Sequence, residues 1–160
     1  MDFVHLHLMA SHIPVIGVLL LVPLIAFALV RRSDELGKVS LWALAFIAGA
    51  AVAVYLTGEP AEEGVESLAG ISKGVIEQHE ELALVATIAL GVIGLLALAA
   101  LFRSRKQPLS RGVVVAALFS VVGLSGLFGW TANLGGQIRH SEIGSPAVAR
   151  AQNGDRDQEN

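Results

Sequence analysis

Read from its amino end, the chain alternates long apolar stretches with short polar ones. Four stretches, at about 13–31, 39–57, 82–103 and 112–134, carry no Asp, Glu, Lys, Arg or His between their ends. Each is close to the roughly 20 residues that a helix needs to cross about 30 Å of hydrocarbon. The pattern therefore predicts an all-α membrane protein with four spanning helices. Short links after the first and third spans make an up-down-up-down bundle the simplest topology, with helices one and three diagonal across the core. Between the second and third spans, segment 60–69 reads as a short amphipathic helix on the outer surface. Ala61, Val65 and Leu68 are its apolar positions and Glu62, Glu63 and Glu66 its charged ones, with Pro60 suited to its first turn. Gly70 can end it. Ser72 can then cap a third long helix that passes Glu77, His79, Glu80 and Glu81 before entering the membrane near Leu82. The transmembrane domain is placed at 1–143. Residues 144–160 are polar without an apolar period and are expected to be a disordered tail.

Finer features refine this outline. Asp2 can cap the first helix ahead of the membrane, which puts His5, Met9 and His12 on one face and His7 well round from them. Pro14 has no N–H for the carbonyl of Ala10, so a kink or short break is expected just after His12, and Pro23 should bend the same span again. In the fourth span Ser120, Gly123, Gly126 and Gly129 form a stripe of small residues, suited to close packing against a neighbouring helix or a flat ligand. Gly135-Gly136 should loosen that helix before Gln137 to His140.

Composition agrees with a membrane environment. A chain of 160 residues with 54% hydrophobic content and a mean hydropathy of +0.65 is too apolar for an ordinary soluble domain. Basic residues give an orientation. Arg31, Arg32 and Lys38 follow the first span and Arg103, Arg105, Lys106 and Arg111 the third, so both compact loops are expected to be cytoplasmic, with both termini outside. Because Arg31 and Arg32 come after the first apolar stretch rather than before it, that stretch reads as a retained span and not a signal peptide. The absence of cysteine excludes covalently attached c-type haem, thiolate-held iron–sulphur clusters and disulfides. A net charge of −3 gives no reason to expect nucleic acid. No Ser-His-Asp arrangement or phosphate-cradling glycine loop is visible, so hydrolase and transferase chemistry has no support and an electron carrier or metal-binding protein is favoured over a turnover enzyme.

The chemistry-bearing residues gather at one end. All five histidines and twelve of the fourteen acids fall on the expected outer side. Counting up from the cytoplasmic ends at about 1.5 Å per residue places His12 about 28 Å, Glu59 about 30 Å and His79 about 36 Å up their helices. His12 and His79, on diagonal helices, could face each other and supply both axial bonds to a b-type haem, with His7 and His140 as a second pair. The same region also suits a non-haem site for zinc, copper or iron, built from His12, His79 and His5 with Glu77, Glu80 or Glu59. Met9 beside His5 and His12 would favour copper.

Three local patterns resemble the bacterial four-span membrane proteins grouped as domain of unknown function 2231. His7-Leu8-Met9-Ala10-Ser11-His12-Ile13-Pro14 is similar to that family's opening His-Pro-x-x-x-His-Phe-Pro, with Leu8 and Ile13 in place of Pro and Phe. His79 at the entry to the third span is similar to its third-helix histidine, and Leu134 to His140 to its closing Gly-Gly-x-x-x-x-His element, with three residues in place of four before His140. The resemblance is to bacterial proteins, and with the charge pattern above the chain is expected in a bacterial inner membrane with its termini on the periplasmic side. The resemblance makes His7, His12, His79 and His140 the residues of interest and implies kinship with small haem-bearing cytochromes. The expected function is electron transfer through a haem near the outer face, with a periplasmic protein or quinone as partner. A non-haem metal-handling protein and an accessory subunit of a membrane complex are the alternatives, and the sequence leaves oligomerisation open.

Overall fold

The computed structural model describes residues 3–65 and 73–139. Outside that set lie Asp2, Glu66, Leu68, Gly70, Ser72, His140 and the 144–160 tail. Five helices follow in order: α1 (Phe3–Arg31), α2 (Asp34–Tyr55), α3 (Gly58–Val65), α4 (Lys73–Arg103) and α5 (Arg111–Arg139). Four of them, α1, α2, α4 and α5, are long and apolar enough to cross a membrane. They close a ring in which α1 packs on α2 and α5, and α4 packs on α2 and α5. Thus α1 and α4 stand diagonally, as the connectivity predicts.

Each long helix turns one narrow stripe inward. On α1 it runs through Pro14, Val18, Leu21, Ile25 and Ala28, and on α5 through Ala117, Val121, Leu124, Phe128 and Thr131. The alternating steps of three and four residues are the period of left-handed helix bundles. Large apolar side chains also cover the outside: Phe46 and Phe119 are 74% exposed and Leu95 68%. Water would penalise such a surface, whereas lipid solvates it. Trp42 near one end of α2 and Trp130 near the opposite end of the bundle are both exposed, as in the aromatic belts that mark membrane interfaces.

The helices approach most closely where glycine allows it. A Cβ at Gly94 of α4 would stand 2.5 Å from the Cβ of Ala48 on α2, and one at Gly17 would meet the Ile47 side chain at 2.9 Å. By contrast, Gly123, Gly126 and Gly129 face open space, so the stripe on α5 packs against no other helix of the bundle. Composition marks small residues but not the face they occupy, so the sequence did not single out Gly94 and Gly17 as the packing glycines within the bundle. The prolines leave α1 unbroken: it continues helical through both Pro14 and Pro23. In the turn before Pro14, Ser11 Oγ and His12 Nδ1 both donate to the carbonyl of Leu8, at 2.9 and 2.7 Å. Nor do Gly135 and Gly136 loosen α5, which stays helical to Arg139.

The basic end is tied together by one acid. Ser33 caps α2, its Oγ accepting from Leu36 N, after Arg32 turns the chain with φ of 50°. Asp34 then accepts from the backbone N–H of Leu109 at 2.7 Å and pairs with Lys38 at 2.7 Å, and Lys38 donates to the carbonyl of Gln107. One carboxylate therefore fixes the α1–α2 turn against the α4–α5 loop.

Candidate functional site

At the opposite end α2 falls short of its neighbours. Its 22 residues span about 33 Å, while the 29 to 31 residues of α1, α4 and α5 span about 44 to 47 Å. The overhang leaves a cavity of about 710 Å³. It is roofed on one side by α3, which packs against α1 and brings buried Ala61 to the lining. The walls are mostly apolar, with Val15, Ala51, Val54, Ile76 and Phe128 among them. Along α4 the lining runs from Ile76 to Thr87, about 16 Å of helix. This is the size and character of a site for a sizeable apolar ligand fixed by a few polar groups.

Three imidazoles, His7, His12 and His79, line it. His79 lies on the inward stripe of α4 and its Nδ1 donates to the carbonyl of Thr131 on α5 at 3.0 Å. A carbonyl only accepts, so Nδ1 carries the proton and Nε2 keeps its lone pair. The ring rests on Gly135: a Cβ there would lie 3.2 Å from His79 Cε1. Gly135 thus serves to seat a ring rather than to end a helix.

His7 is held in the same way. Thr57 Oγ spends its proton on the carbonyl of Val54 at 2.6 Å and therefore accepts from His7 Nδ1 at 3.0 Å. Its ring passes Gly58, where an added Cβ would be 3.7 Å away. Both imidazoles are half-buried, and they are close enough to interact electrostatically. His12 is exposed at the cavity margin, with Nδ1 turned back to its own helix at Leu8. In all three rings the nitrogen left with a lone pair is Nε2. Binding the far nitrogen to a backbone or hydroxyl acceptor is how proteins orient imidazoles that ligate metals.

The remaining candidates are dispersed. Glu59 and Glu80 line the cavity, joined by Glu62, whereas His5 and Glu77 are exposed and stand outside its lining, as does Met9. Among the described residues no three His, Asp or Glu side chains come together as a metal-ion site. Thr57, which positions His7, had no distinguishing signal in sequence, and Gly135 stood out there only as a helix breaker and as part of the closing glycine pair, not as the seat of His79. Compared with known protein families, curated proteins and solved structures, the chain matches none.

Proposed function

We propose that the protein is a membrane-embedded b-type haem protein that passes single electrons at the histidine-bearing end of its bundle. The observation that carries this reading is the pair His7 and His79. They lie on diagonal helices at one large apolar cavity, each with Nδ1–H engaged and Nε2 available. The donor set also weighs for a macrocycle over a bare ion. A protein-held zinc or similar metal asks for three or four side-chain donors, but a porphyrin brings its equatorial donors with it and leaves only axial positions to the protein. When bound, the iron would supply one-electron chemistry. His7 and His79 would hold it, the apolar walls would exclude water, and His12 at the margin would stand beside the pair rather than within it.

By the distribution of basic residues, we place this end on the periplasmic side of a bacterial inner membrane, with a quinone or a periplasmic redox protein as partner. The test is an absorption spectrum with metal analysis on protein purified after haem-replete expression. A Soret band with about one iron per haem is expected. Stoichiometric zinc or copper without porphyrin would select the non-haem site instead, and a folded, metal-free protein that stays colourless on reconstitution would overturn both.

Thr57 offers a finer check. Thr57→Ala removes the acceptor that orients His7 while leaving the ring in place. Loss of such a supporting hydrogen bond is expected to weaken haem affinity by about 10- to 100-fold, measured by competition with an apo-haem acceptor.

A further inference from the structure

At the other end of the molecule lies a smaller cavity of about 160 Å³ between α2 and α4, lined by Lys38, Trp42, Leu101, Phe102, Ser104 and Arg105. It shares nothing with the histidine cavity. Its charged members, Lys38 and Arg105, are cationic. Lys38 is held by Asp34 and the Gln107 carbonyl, so its ammonium is fixed beside the opening. The Arg105 guanidinium stacks over the Phe102 ring at 4.1 Å from the centroid. That stacking occupies its face and leaves its N–H edge available, and among the described residues it makes no ion pair. The surroundings are also basic: Arg31, Arg32, Arg103, Lys106 and Arg111 join these two against only Asp34 and Glu35.

Directly toward the middle of the bundle the surface turns apolar. Trp42 and Phe46, one turn apart on α2, are 57% and 74% exposed, and Phe102 on α4 is 57% exposed. A ligand that fits both halves has an anionic head and an apolar tail. We infer that this cavity binds the headgroup phosphate of an anionic phospholipid, with the acyl chains lying over Trp42 and Phe46. The Arg105 fork matches phosphate oxygens in a bidentate manner, and Lys38 adds a fixed point charge. Basic pockets between membrane helices at this interface are suited to such heads. A free phosphate ion would use the same cations but gain nothing from the exposed aromatic track.

The test uses the full chain carrying Trp130→Phe, so that Trp42 is the only indole, reconstituted in phosphatidylcholine vesicles. Brominated phosphatidylglycerol is added as a quencher and compared with brominated phosphatidylcholine. Trp42 should be quenched as if the anionic lipid were enriched about fivefold or more around it, one basic contact supplying about that factor. Arg105→Gln should remove the preference, and Arg111→Gln, a cation at the same end outside the cavity, should keep it. Equal quenching by the two lipids, or equal loss in both variants, would overturn a defined site in favour of none or of diffuse charge. Displacement of the brominated lipid by millimolar inorganic phosphate at constant ionic strength would show an ion site and overturn the lipid assignment.

Discussion

Alanine in place of His79 should abolish low-spin haem absorption from protein purified after haem-replete expression while leaving the bundle folded. The ring is half-buried on the inward stripe of α4, bonded to the Thr131 carbonyl and seated on Gly135. Removing it orphans no buried group, since that carbonyl lies within the helical run of α5. The stability cost should therefore stay near the net worth of one hydrogen bond, about 1 kcal/mol. If haem is held by His7 and His79 as proposed, loss of either ring would remove its low-spin spectrum altogether. His7→Ala should match His79→Ala, and His12→Ala should keep the low-spin bands. Loss of the spectrum in His12→Ala with retention in His7→Ala would instead restore the pairing of His12 with His79 expected from the sequence.

Gly94→Ala should be the most damaging single methyl in the membrane region. Its Cβ would lie 2.5 Å from Ala48 Cβ and 3.7 Å from Ala45 Cα, so no flexible side chain can yield and α2 must move away from α4. Overpacking of this kind costs about 1–3 kcal/mol. Gly91→Ala, on the same helix with nothing within 4 Å of the added atom, should be close to neutral. Reversible unfolding in mixed micelles measures both. Pairing Gly94→Ala with Ala48→Gly should recover most of the loss, as coupled neighbours do in a double-mutant cycle. Additive costs would place the strain elsewhere.

The spans and the diagonal placement of α1 and α4 were legible because run length and connectivity constrain them directly. Which imidazole points inward was legible only in part. Sequence spacing correctly separates His7 from the face shared by His5, Met9 and His12, but angular separation does not say which face is buried. The register does: the inward stripe at Pro14, Val18, Leu21, Ile25 and Ala28, extended backward by the same steps, passes Ser11, His7 and Val4. His12 falls beside that line. Pro14 makes no break because proline is tolerated inside a membrane helix, whose other backbone bonds carry the chain past it. Glycine roles were hidden for a different reason. Gly94 and Gly135 matter through partners on other helices, Ala48 and His79, that no local pattern reveals.

The shortness of α2 ties together two properties of the chamber. Its volume depends on how many turns that one helix lacks, and the turn that follows supplies Thr57, the acceptor that orients His7. Lengthening or trimming α2 by a turn would therefore change the room in the chamber and the aim of one imidazole at once, while His79, bonded to α5, would keep its place.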